Sequence, residues 1–197
     1  MKNNEISLLP GGCYHIFNHA NGFENLFRSE GNYHYFLKKY AEHIPAVADT
    51  LAYCLMPNHV HLMVRIKPEA ALPGDGSPAY LSHAFGNLFS AYAQAFNKQQ
   101  GRKGGLFIPN FKRKPVTDDA YFGSLIRYIH QNPVTHGFAV HLAEWPHSSF
   151  LSHLSDRPTR LLRDEVLAQE ASAARHEYFL ALEHSHPSHS RTRTCFK

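Results

Sequence analysis

Residues 53–64 read YCLMPNHVHLMV, and how this stretch divides decides the fold. Pro57 and Asn58 separate two short apolar runs, residues 51–56 and 59–66. That arrangement predicts two antiparallel strands joined by a tight turn. Alternate residues of a strand share a face, so Val60, Leu62 and Val64 take one side, and His59, His61, Met63 and Arg65 the other. Two histidines reaching the same side can approach one ion or phosphate together. Taken alone, such a pair is more often two partly exposed histidines, so the rest of the chain has to give it meaning.

Toward the N-terminus, CYHIFNH (13–19) follows a Pro-Gly-Gly breaker and alternates as a first strand. Ser29 then N-caps a helix in which Tyr33, Phe36, Leu37, Tyr40, Ala41 and Ile44 recur at spacings of three and four, up to Pro45. On the other side, PEAALPGDGS (68–77) is a loop. Ser77 and Pro78 open a long helix with Leu81, Phe85, Leu88, Phe89, Tyr92 and Phe96 on one face, ending at Gly101. Residues 106–116 carry strand-like residues with Lys112, Arg113 and Lys114, and with Phe107 and Phe111 interleaved; they read as a fourth strand or an extended basic arm. A third helix starts at Thr117 or Asp118, buries Phe122, Leu125, Ile126 and Ile129, and stops at Asn132 before Pro133.

The order strand, helix, strand, strand, helix, strand, added helix is the ferredoxin-like α+β pattern. Its antiparallel sheet has two helices on one face and the other face free for the histidines. A further helical pattern over 163–183 completes one domain, residues 1–183. The polar, basic tail 184–197 reads as disordered.

The net charge of +4 and pI near 9.0 suit an anionic partner. Lys112, Arg113 and Lys114 could form a phosphate-contacting patch with Arg102, Lys103 and Arg127, or an ordinary solvated edge. Three cysteines without CxxC spacing argue against a disulfide framework or zinc ribbon and point to a reducing cytoplasm. The N-terminus lacks a signal-peptide core, and no apolar run is long enough for a membrane span.

Two histidines rarely suffice to hold a divalent metal, so a third ligand is needed. On the third helix Tyr128 and Asn132 are four residues apart and stack on one side, at an edge where helix meets sheet. The Asn132 amide oxygen would complete a two-nitrogen, one-oxygen set, with Gln131 as the competing amide. A metal beside a tyrosine hydroxyl suits phosphodiester chemistry, with Tyr128 as nucleophile.

PNHVHLMV resembles the His-hydrophobic-His motif of the HUH single-strand endonucleases. YHIFNHANG, YCLMPNHVHLMVR, FKRKPV, RYIHQNPVTHG and EWPHSSF together resemble the REP-associated tyrosine transposases, in matching order from about residue 13 to about residue 182. The resemblance implies an HUH fold and a Mg2+- or Mn2+-dependent nuclease that cuts and rejoins single-stranded DNA at imperfect palindromic hairpins. It also implies a monomer or homodimer in the bacterial cytoplasm, associated with the nucleoid. By motif, His59, His61 and Asn132 would be metal ligands, and Tyr128 the nucleophile that leaves a 5′-phosphotyrosine and a free 3′-OH. His19 departs from the arginine common in such relatives. A catalytically silent hairpin-binding protein of the same fold is the competing expectation. RNA binding on the sheet face is disfavoured, because histidines stand where RNA-binding sheets show aromatics.

Overall fold

The structure is a computed structural model and describes residues 6–173. Its elements are β1 (Cys13–His19), α1 (Glu30–His43), β2 (Ala48–Met56), β3 (His59–Ile66), α2 (Pro78–Gln100), β4 (Lys112–Pro115), α3 (Asp119–Thr135), α4 (Phe150–Leu154) and α5 (Arg163–Ala173). The strands form one antiparallel sheet in the order β2-β3-β1-β4, which is the ferredoxin-like arrangement. The remainder of the 163–183 helical pattern, the boundary at 183 and the tail lie outside the described residues.

The turn at Pro57-Asn58 sets Met56 opposite His59 and so fixes the register of the β2–β3 hairpin. Tyr14, Ile16, Leu55, Val60, Leu62, Val64 and Ile66 face α1 and α2, whose buried faces carry Tyr33 and Phe36, and Leu81, Phe85, Phe89, Tyr92 and Phe96. Ser77 caps α2 by accepting from Tyr80 N at 3.2 Å. The helix stops where Gly101 takes the left-handed conformation, φ 62°.

The second face of the sheet is not left free. Leu51, Ala52, Cys54, Met56 and Met63 pack against Phe122, Leu125, Ile126 and Ile129 of α3 and Val166 of α5, forming a second core. An ion pair from Arg65 of β3 to Glu165 ties α5 to the same face. The apolar stripe of α3 needs burial, and β2 and β3 offer apolar residues on that side.

Two boundaries differ from expectation. α3 runs through Pro133 to Thr135, so Asn132 lies inside the helix rather than at its end. A proline in the last turn forfeits one backbone bond, and closure falls to Gly137 at φ 71°, after which Phe138 N donates to Pro133 O at 2.8 Å. β4 spans four residues only. Pro109 has no N–H to donate to a ladder and Asn110 sits at φ 61°, so residues 106–111 form a loop. Phe107 and Phe111 turn inward against Phe85, Phe89 and Tyr92 and are not displayed among the basic residues.

EWPHSSF lies along the outer edge of β2. Leu55 N donates to His147 O, Ser149 N to Tyr53 O and Trp145 Nε1 to Leu55 O, at 2.9, 2.9 and 3.1 Å. These bonds occupy edge groups that would otherwise be open to another strand.

Candidate active site

Alternation on β1 and β3 builds the floor of the site. His15, Phe17 and His19 share a face with Met63, His61 and His59, to which they are paired in register. On the far side of β1, Lys114 pairs with His15 and Lys112 with Phe17. α3 crosses above, and its flank carries Tyr128 and Asn132. An open groove of about 410 Å³ runs between them, lined by His15, His19, His61, Lys114 and Tyr128.

The histidines are buried rather than partly exposed: His15, His59 and His61 keep 5%, 4% and 3% of their surface. Tyr128 is half exposed at 50%. Its ring stands edge-on to His61 at 5.4 Å and to His15 at 6.2 Å. Asn132 is buried with Oδ1 3.2 Å from His59 Nε2, and its Nδ2 donates to Tyr128 O at 2.8 Å. Gln131, the competing amide, is exposed.

Burial pushes the His59 pKa down to about 4 and that of His61 to about 2; the Asn132 side chain opposes this at both rings, and neighbouring imidazoles lower both further. Burial, with Lys114, takes His15 to about 4. These rings are therefore neutral at pH 7, and each carries one N–H. His59 nevertheless has an amide oxygen against both ring nitrogens, Asn58 Oδ1 at 2.8 Å from Nδ1 and Asn132 Oδ1 at 3.2 Å from Nε2. One proton cannot serve both. The shorter contact takes it, which leaves the Nε2 lone pair facing the Asn132 oxygen.

Two acceptors 3.2 Å apart are close enough that both could turn to one divalent cation. Asn132 also acts on His61, raising its pKa against the effect of burial, so the amide lies near both histidines. The residues present fit a hard divalent cation. Among the described residues, no group of three His, Cys, Asp or Glu side chains is placed to hold a metal ion.

His15 was not legible as a site residue from its own strand. Its Nε2 lies 2.9 Å from His61 Nδ1, a single shared proton that fixes the orientation of the His61 ring. His19 stacks on His59 at 4.7 Å, and His136, beyond the end of α3, stands edge-on to it at 5.4 Å. The signal for His15 and His19 was the alternation H-x-F-x-H on β1, once β1 is paired with β3.

The six basic residues do not form one patch. Lys112 and Lys114 are exposed on the histidine side. Arg113, between them, points to the other face, donates to Ser82 Oγ at 2.6 Å and stacks on Phe111. Arg102 is engaged by Glu24 at 3.3 Å and by Asn97 Oδ1 at 2.7 Å. Lys103 is exposed beyond α2, and Arg127 contacts Ser124 on α3 at 3.4 Å.

Fold and site together define an α+β protein of ferredoxin-like topology, with a His-x-His strand facing a helix that carries tyrosine and asparagine one turn apart. No family model matches the chain. It is 33% identical over 115 residues to a protein of Haemophilus influenzae (strain Rd) named a REP-associated tyrosine transposase, an alignment covering 57% of this chain and 64% of that relative. Among solved structures it is similar to a REP-associated tyrosine transposase bound to a REP hairpin. The TM-score is 0.61 at 19% identity, over 80% of this chain and 89% of the other, a likeness that establishes the shared fold. The curated relative agrees with the family resemblance read from the motifs, over less than two thirds of its own length, and the solved structure agrees with the expected fold.

Proposed function

We propose that this protein is a divalent-metal-dependent endonuclease and strand transferase that acts on single-stranded DNA at hairpins, with Tyr128 as nucleophile. The observation that carries the reading is the double use of the Asn132 amide. Its nitrogen is tied to the Tyr128 carbonyl and its oxygen faces His59 on β3, so one residue links the helix of the nucleophile to the histidine strand. The names of the curated relative and of the hairpin-bound structural neighbour support the same class of substrate.

His59, His61 and Asn132 would hold Mg2+ or Mn2+, which would act as a Lewis acid on the scissile phosphate. Tyr128, half exposed above His61, reaches into the groove where that phosphate would lie. Its hydroxyl oxygen attacks phosphorus, the bond from phosphorus to the 3′ oxygen breaks, and the phenol proton is balanced by the proton gained at the departing 3′-OH. The products are a 5′-phosphotyrosine and a free 3′-OH. Attack by a 3′-OH on that phosphotyrosine reverses the step and joins strands without a nucleotide cofactor. Lys112 and Lys114 border the groove and would hold the flanking phosphates.

The test is adduct formation on hairpin oligonucleotides with Mn2+. Wild type is expected to become attached to the 5′ end, and Tyr128→Phe and EDTA to abolish attachment. His59→Ala and His61→Ala should also abolish it while hairpin binding persists. Absence of an adduct from wild type on every hairpin, with binding intact, would favour the catalytically silent alternative. An adduct formed by Tyr128→Phe would overturn the assignment of the nucleophile.

A further inference from the structure

Away from the histidines, on the α1 side of the sheet at its β2 edge, α1, β2, α4 and residues 159–161 surround a cleft of about 380 Å³. That volume is in the range of small-molecule sites. Leu37, Pro45, Leu62 and Leu161 make its wall apolar, and Ala41 on α1 leaves room because its side chain is small. The cleft sits where the outer edge of β2 is covered twice. Ser149 N donates to Tyr53 O at 2.9 Å and Leu162 N to Thr50 O at 2.8 Å, and Tyr53 and Thr50 both line the space between.

Two polar features are built into this wall. Tyr40 Oη and Thr50 Oγ1 lie 2.7 Å apart, and both line the cleft. Two hydroxyls that share one bond still carry a second hydrogen, and among the described residues no acceptor takes it. The rim supplies charge. Lys67 Nζ and Asp49 Oδ1 offset each other at 3.7 Å, whereas Arg160 is exposed and meets no carboxylate among the described residues. The rim therefore carries one unbalanced positive charge. Leu161 pairs with Thr50 in an isolated bridge, so Arg160 stands one residue from the strand position of the hydroxyl pair. A carboxylate is the group that accepts from a hydroxyl and from a guanidinium together.

We propose that this cleft binds a small apolar carboxylate, its hydrocarbon body against the leucines and its oxygens turned to Arg160 and to the Tyr40–Thr50 hydroxyl pair. The site is independent of the DNA chemistry above, because it shares no residue with the histidine groove.

The experiment uses the whole protein without DNA, titrated with 3-phenylpropionate and with its uncharged counterpart 3-phenylpropanol, by calorimetry and ligand-detected NMR. Wild type is expected to bind the acid about tenfold more tightly than the alcohol, the scale of one hydrogen bond to a charged group. Arg160→Ala, at an exposed position, should bring the acid down to the affinity of the alcohol. Ala41→Phe places a ring across the cleft from an exposed position on α1, so it should fold, and it is expected to weaken both probes by about tenfold or more. A wild type that binds neither probe, or binds both alike, would overturn the carboxylate site. So would an acid preference that survives Arg160→Ala, or binding that survives Ala41→Phe. Light scattering tests the rival occupant: a wild-type dimer that Ala41→Phe converts to monomer would give the cleft to a second copy of this chain and overturn the ligand.

Discussion

His15 and His61 share one proton across 2.9 Å, and that contact decides which nitrogen His61 can offer. With the proton on His61 Nδ1, the Nε2 lone pair is left for a cation, and in the proposed site His15 would act as a positioning residue behind that ligand. His15→Ala is expected to lower Mn2+ affinity about 10- to 100-fold, measured by calorimetry on DNA-free protein, with hairpin binding unchanged. A loss of metal affinity no larger than that of an exposed control such as His34→Ala would deny His15 this role.

At the scale of elements, α4 holds a cost that function does not explain. His153 is buried with no well-formed hydrogen bond to either ring nitrogen, the Leu51 backbone being its nearest polar support, and it packs beside His130 of α3. Burial lowers its pKa to about 4, opposed in part by the Leu51 backbone and aided by Arg163 at the start of α5. The unfolded chain binds this proton near the ordinary value of about 6.5, whereas the folded chain refuses it until about pH 4. Stability contributed at this site is therefore complete above about pH 6.5 and declines as the pH falls toward 4. His153→Leu should raise stability at pH 5 more than at pH 8, by about 1–3 kcal/mol in denaturant melts. Equal shifts at both pH values would show that the titration contributes nothing.

The elements also show what the sequence could and could not convey. The strands and helices around YCLMPNHVHLMV were legible because period-two and period-3.6 patterns there agree with the turn and cap residues at each boundary. The second core was not. The stripe of α3 was visible, but nothing local in residues 119–135 says which sheet face it buries, and so His59 and His61 were read as lying on a free face. The shortness of β4 was hidden for a similar reason. Residues 106–111 have strand-like composition, and the loop follows from Pro109 and from the positive φ of Asn110, which composition did not announce. In the site, Asn132 was legible through its spacing from Tyr128, whereas the partnership of His15 with His61 required a strand pairing between residues 46 positions apart.

For the whole molecule, charge placement matters more than the net +4. Lys112 and Lys114 are exposed beside the groove, whereas Arg102 is committed to Glu24 and Asn97, and Arg113 to Ser82 and Phe111. Replacing both lysines by alanine should reduce the slope of log affinity for hairpin DNA against log salt by about 2, whereas Arg102→Ala should leave it nearly unchanged. A larger change from Arg102→Ala than from the double lysine variant would reverse this assignment. Among the described residues, no helix is long and apolar enough to cross a membrane.

The bond from Asn132 to the Tyr128 carbonyl, and the packing of α3 on its own β2 and β3, place tyrosine, amide and histidines within one polypeptide. Genetics offers a reading of this. On the proposed chemistry, alleles encoding Tyr128→Phe and His59→Ala should each be inactive and should fail to complement each other in the same cell or tube, since α3 completes the site on its own sheet. Restored cleavage from the mixture would mean that helices are exchanged between subunits, and that a working site is assembled from two genes' worth of product.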